Sequence, residues 1–185
     1  MSHSRNEASA LITKAAVGAG FPWALAQEIS KAFSTIAQPT SSEWQALIDA
    51  LVAPTEGMIF TTHAGLLQIE NARICSAGPA VVDWLVAGMQ RAELLELDCP
   101  VLLDAFLRAG QAEYGYAFMT ETNENGVVQV TAKRNENPSI SQSLPRIIFP
   151  QETYDALIGL AARTYVPESD ASRLSGAGAG LTDND

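Results

Sequence analysis

The chain is short of most things that would declare a chemistry outright. Its two cysteines, Cys75 and Cys99, are too few for a disulfide framework or a four-ligand zinc site. Each sits among apolar neighbours, which reads as a pair of reduced core thiols. Its two histidines, His3 and His63, lie far apart and give no metal-ligand spacing. Basic charge is scarce as well: 11 Lys and Arg face 21 Asp and Glu, for a formal charge of −10, and no basic cluster exceeds the pair Lys133-Arg134. Nucleic-acid binding needs a basic footprint to displace counterions, so that class is excluded. Anionic membrane surfaces are disfavoured for the same reason. No uncharged apolar run reaches the roughly 18–20 residues needed to span a bilayer. The start, Met1 to Glu7, lacks the basic-then-apolar layout of a secretory signal. The expectation is a cytoplasmic protein.

What is present is the composition of one globular domain: 185 residues, 47% hydrophobic and 17% charged. The charge is not segregated, since residues 1–100 hold ten acids and five bases and residues 101–185 hold eleven and six. Such acidity aids solubility more than it marks a basic partner.

Ser4-Arg5-Asn6-Glu7 has capping-box spacing, and Ala8, Leu11, Ile12, Ala15 and Ala16 recur behind it at helical period until Gly18 and Gly20. Pro22 suits the first turn of a second helix with the stripe Leu25, Ile29, Ala32, Phe33, Ile36, stopped by Pro39. Thr40 and Glu43 repeat the box ahead of Trp44, Leu47, Ile48, Leu51 and Val52. The spacing therefore predicts three short amphipathic helices over 4–53. Such helices are too short to stand alone.

After Gly57 the texture becomes mixed, over residues 57–163. Met58-Ile59-Phe60 and Gly65 to Ile69 read as extended, and Ser76-Ala77-Gly78-Pro79 reads as the opening of a helix carrying Val81, Val82, Leu85, Val86 and Met89. Glu93 to Leu97 alternates as a strand, and Pro100 opens a helix with Leu102, Leu103, Phe106 and Leu107. Tyr114, Tyr116 and Phe118 predict one face of a strand that turns at Asn125-Gly126 and returns over Val127 to Ala132. Asn135 to Ser143 reads as a polar loop, Arg146 to Phe149 as a strand, and Pro150 to Arg163 as a helix with Tyr154, Leu157, Ile158 and Ala161 inward. The order implies α+β: an N-terminal three-helix segment, then a mainly antiparallel small sheet with packed helices. Residues 1–174 form one domain in this reading, and 175–185 form a Gly/Ala-rich acidic tail.

No catalytic constellation stands out. His63, beside Thr61 and Thr62, is either a general base or a structural loop histidine, and His3 falls in a fraying end with no role. Ser76 and Gly78 mark either an anion site at helix amides or an ordinary helix start. Gly176 and Gly178 belong to Gly-Ala-Gly-Ala-Gly, which lacks the Lys-Ser/Thr and following helix of a phosphate loop. Arg163 and Arg173 offer forked donors for a carboxylate or phosphate, or else surface salt bridges. Asp183 and Asp185 offer polar contacts to a ligand, or a hard cation, or simply a solvated end. No metal and no cofactor is implied.

Three stretches carry a resemblance. They are Ser4-Arg5-Asn6-Glu7 with Lys14-Ala15-Ala16 and Gly18-Ala19-Gly20; Cys75 to Ala80; and Ala162 to Pro167 running on through Ser172-Arg173-Leu174, Gly176 to Gly180 and Asp183-Asn184-Asp185. Together they resemble an uncharacterised bacterial domain-of-unknown-function family. The likeness implies a small bacterial protein and carries no catalytic residues over.

The leading expectation is a protein of small-molecule metabolism that binds an anionic metabolite in a cleft closed by the C-terminal tail. Its ligands would be Arg173, Arg163, Ser76, Gly78, Gly176, Gly178, Asp183 and Asp185, with Asp183, Asp185 or His63 for any proton transfer. The alternative is a non-catalytic partner subunit of a larger enzyme, with the tail inserted into its neighbour. The capping boxes give the first test. Ser4→Ala and Thr40→Ala are each expected to cost about 0.5–2 kcal/mol in denaturant unfolding; unchanged midpoints for both would mean that the helix starts lie elsewhere.

Overall fold

Both capping boxes form. The Ser4 amide and hydroxyl donate to the Glu7 carboxylate at 2.7 and 2.8 Å, and the Glu7 amide donates back to Ser4 Oγ at 3.2 Å. Those donors hold the Glu7 carboxyl below the ordinary carboxylate range. Thr40 and Glu43 make the same reciprocal pair.

The computed structural model describes residues 2–54, 56–135 and 144–164. In chain order these form β1 (Ser2–His3), α1 (Arg5–Gly18), α2 (Trp23–Phe33), α3 (Ser41–Val52), β2 (Ile59–His63), β3 (Leu66–Glu70), α4 (Ile74–Val86) and β4 (Arg91–Leu94). A 3₁₀ turn at Pro100–Leu102 leads into α5 (Leu103–Tyr114), and β5 (Tyr116–Thr122), β6 (Val128–Arg134), β7 (Ile147–Ile148) and α6 (Gln151–Ala162) follow. The fold is α+β. Five strands make a sheet in the order β2-β3-β4-β6-β5, antiparallel at every pairing except β3–β4, and β1 pairs with β7 separately.

Strand alternation decides which face is covered. Leu67, Ile69, Ala92, Leu94, Val128 and Val130 are buried on one face, against which α4 packs. Gln68, Glu93 and Gln129 share a cross-strand row on the opposite face, where Gln129 Nε2 donates to Glu93 at 2.9 Å. Beyond α4 and α5 lies more helix: α2 packs on both, α1 packs on α2 and α6, and α3 on α6. The first three helices thus share one core with α6 and the sheet helices.

Several sequence expectations shift. Tyr114 ends α5 rather than starting a strand, because Gly115 at φ 71° caps the helix in the left-handed region. Ile158 is 44% exposed, and Leu160 takes the inward position instead. α2 stops at Phe33, well before Pro39. His3 is not frayed: it lies in β1 opposite Ile147, stacks on Tyr154 and meets Phe149 edge-on, each at 5.3 Å between ring centroids. The hairpin at Asn125-Gly126 forms as expected, with Gly126 at φ 75° and Asn123 Oδ1 accepting from the Asn125 and Val127 amides. Residues 136–143, read as most of the polar loop, lie outside the described residues.

Two features seat α1. The Arg5 guanidinium donates to the carbonyls of Pro145 and Ile36, at 2.8 and 2.7 Å, and also to that of Ala37. At the other end, a Cβ on Gly18 would fall 1.9 Å from the Leu160 carbonyl oxygen. α6 can therefore close on α1 only because position 18 has no side chain. Gly18→Ala separates packing from propensity. Alanine favours a helix by up to about 1 kcal/mol, whereas overpacking costs about 1–3 kcal/mol. Net destabilisation in denaturant unfolding is the expected result; a stabilised variant would contradict the close approach.

Candidate functional site

Proline and glycine punctuation brings several helix ends to one place. α1 runs out at Gly18, and Gly20, at φ 105°, turns the chain through Phe21-Pro22 into α2. α3 ends at Val52, ahead of Ala53-Pro54, and α6 ends at Ala162 with Arg163 as its C-cap. The Thr164 hydroxyl donates to the Ala161 carbonyl at 2.7 Å and finishes that last turn. Between these ends and the first turn of α4 lies a cleft of about 500 Å³. Its lining surface is about evenly apolar and polar: Phe21, Pro22, Leu25, Leu51, Val52 and Pro54 supply apolar side chains, and Ser76, Glu56 and Arg163 supply polar ones.

Two of the expected ligand residues, Ser76 and Arg163, thus line one cleft although they are distant in sequence. Arg163 is exposed and Ser76 half-buried. Among the described residues the Arg163 guanidinium makes no ion pair. α2 opens on Pro22 with no side chain capping its first amides, so its amino end adds uncommitted donors beside Phe21 and Leu25.

Gly78 is not part of this site. α4 begins at Ile74, so Ser76 is its third residue and Gly78 lies inside it, followed by Pro79. A Cβ on Gly78 would fall 2.6 Å from the Phe106 ring, so this glycine serves helix packing. The amino end of α4 is also occupied already. Asp98 Oδ1 accepts from the Ile74 and Cys99 amides, both at 2.8 Å, and the protein's own carboxylate sits where an anion was expected. His63 ends the edge strand β2, exposed, and does not line the cleft. Arg173, Gly176, Gly178, Asp183 and Asp185 lie outside the described residues.

The sequence reading missed Glu56 and the apolar lining residues. The available signal was the pairing of Gly20 with Pro22 and of Ala53 with Pro54, two interruptions that end helices side by side. A second hollow, of about 130 Å³, gathers Glu28, Asp83, Glu113 and Tyr114. Burial, with Glu113 nearby, raises the Asp83 carboxyl above its ordinary range, so this acidic hollow does not suit an anion.

Comparison adds one likeness. The profile of a family described as Protein of unknown function (DUF3726) matches residues 3–38. The resemblance to an uncharacterised family thus holds at the N-terminus. The matched stretch runs from β1 through α2 to the loop whose carbonyls hold Arg5, and it contains the Ala19-Gly20 corner of the cleft. No curated protein and no solved structure matches the chain.

The thiols give a direct test of the ground beside this cleft. Cys75 is buried and Cys99 half-buried, and both are free. Burial first and Asp98 second push both up, Cys99 to about 11. Neither thiol is a poised nucleophile. At pH 8, iodoacetamide is expected to modify the native protein at least about a hundredfold more slowly than the unfolded chain. Labelling of native Cys99 at the unfolded rate would contradict its burial.

Proposed function

We propose that this is a cytoplasmic bacterial protein that binds an anionic small metabolite in the cleft between α1, α3, α4 and α6, with the C-terminal segment closing over it. One observation carries the reading: Arg163 and Ser76 converge on a single cleft of mixed polar and apolar lining. Its volume falls within the roughly 300–1,000 Å³ usual for small-molecule sites. In this reading Arg163 binds the anion as a forked donor, Ser76 and the first amides of α2 add hydrogen bonds, and the walls exclude water.

The position of Arg163 supports the rest of the proposal. The segment 165–185 begins two residues beyond it, and 21 residues can extend to roughly 70 Å. That length is ample to cross the cleft and bring Arg173, Gly176, Gly178, Asp183 and Asp185 to its mouth. Glycine and alanine in that stretch have little side-chain entropy to lose on ordering. Two free thiols suit a reducing compartment.

A second reading, an accessory subunit of a larger metabolic enzyme, is favoured by β2. Every residue of that edge strand is exposed, including Ile59 and Phe60, and among the described residues it pairs only with β3.

Thermal shift across organic acids and phosphorylated metabolites separates the two. A ligand at a hundredfold excess over Kd adds about 2.7 kcal/mol of apparent stability. Arg163→Ala, Arg173→Ala and truncation after Leu174 are each expected to abolish the shift while leaving helical content intact. If no compound shifts the full chain and the same variants release a copurifying protein instead, the subunit reading replaces the ligand reading.

A further inference from the structure

We infer that β2 is a self-association edge: two copies of this chain pair their β2 strands antiparallel about a two-fold axis at Thr61, joining two five-stranded sheets into one. The inference does not depend on the cleft. The register of the β2–β3 hairpin decides which groups are on offer. Ala64 and Gly65, at φ 47° and 81°, form its two-residue loop. Such a loop makes His63 and Leu66 a hydrogen-bonded pair, and pairs of the two kinds alternate from there. Ile59, Thr61 and His63 therefore give their main-chain groups to β3, while Phe60 and Thr62 turn theirs to the outer side. The strand is also tethered at both ends. The Asn71 side chain donates to the Gly57 carbonyl at 3.1 Å, the Arg73 amide to Met58 Sδ at 3.3 Å, and the Gln90 amide to the Gly65 carbonyl at 2.8 Å. A partner strand would meet an edge that is already ordered.

Composition is the second argument. Edge strands are usually blunted by charge, proline or a bulge. In a chain of formal charge −10, residues 57–69 contain no Asp, Glu, Lys, Arg or Pro, and β2 runs along β3 without a break in register. Ile59 and Phe60 are 51% and 47% exposed.

A second copy fits this edge residue by residue. About the axis Thr61 faces its own copy, Phe60 faces Thr62 and Ile59 faces His63. Phe60 and Thr62 then exchange main-chain hydrogen bonds, twice over by symmetry, and the central Thr61 pair falls in the closer, non-hydrogen-bonded class. The two Phe60 rings become diagonal neighbours on the face that α4 covers, since Phe60 is in register with buried Ile69. An acidic protein can meet itself only where carboxylates do not oppose one another. Here none does, because Glu70 flanks Ile59 and its copy lies at the opposite end of the seam. The contact is isologous and uses up both β2 edges, so assembly stops at two.

Sedimentation of the full-length protein over roughly 1–500 µM, where a small interface exchanges, is the test. The mass is expected to rise from the 19.7 kDa of one chain to twice that value. Thr62→Pro deletes an outward N–H that β3 does not use, so it should leave helical content intact and hold the protein at one chain. Thr61→Lys and Thr61→Glu each place like charges at the axis and should weaken self-association severalfold, and an equimolar mixture of the two should restore it. That rescue belongs to the two-fold register alone and stands even if Thr62→Pro fails to fold. A wild-type mass fixed at one chain, a mass beyond two, or a dimer indifferent to the Thr61 charges overturns the inference. A monomer whose Phe60 and Thr62 amides resist hydrogen exchange would instead put another part of this chain on the edge, and one whose amides exchange freely would leave it to a different protein.

Discussion

The geometry of the cleft depends on how closely the end of α6 approaches the end of α1. Where Leu160 meets Gly18 a hydrogen atom separates helix backbone from helix backbone, and a methyl group would occupy the space of a carbonyl oxygen. That approach carries Arg163 to the corner made by Ala19 and Gly20. The far end of α1 is fixed by different means. Arg5 gathers carbonyls from the α2–α3 loop and from Pro145, while β1 pairs with β7 just ahead of α6. α1 and α6 are thus tied at both ends, and the orientation of the one sets the position of the other. A guanidinium whose hydrogen bonds all go to main chain acts here as a clamp that needs no partner charge.

The electrostatics of α4 show why a helix amino end is an unreliable pointer to a ligand. Its first amide is unsatisfied by the helix itself, and the nearest answer is Asp98, carried on the turn after β4. Among the described residues, the buried Nε of Arg73, the residue before the helix, and the second oxygen of Asp98 have no hydrogen-bond partner. The site is therefore internal and polar, and it serves to join α4 to the chain around Cys99. α2 took the other course: it begins on Pro22, which has no side-chain acceptor to cap it.

Local signals were legible and long-range ones were not. Both capping boxes, the Asn-Gly hairpin and the helix stripes could be read because each depends on residues within one or two turns of one another. The start of α4 was misread because Pro79 looks like a first-turn proline, while the helix extends five residues ahead of it under the control of Asp98, a residue from a different loop. Tyr114 continued the alternation of Tyr116 and Phe118, but Gly115 between them ends a helix. In the cleft, Arg163 and Ser76 were identifiable as chemical types, and only the packing of α6 on α1 shows that they share a wall. Gly78 failed as a candidate because a glycine that admits a ring and a glycine that admits a ligand look alike in sequence.

The partners of α1 come from the opposite end of the chain. Arg5 reaches Pro145 across 140 residues, and Gly18 rests against Leu160. Contacts of that separation close late, because the entropy of a long loop must be overcome before they form. During synthesis the first helix leaves the ribosome long before the last is made, and Ile12, Ala15 and Ala16, fully covered in the finished fold, must wait for that cover. The cleft, lined in part by Arg163 at the end of α6, cannot be complete before that helix is made. A nascent chain stalled short of α6 would display an apolar face of α1 to chaperones and proteases.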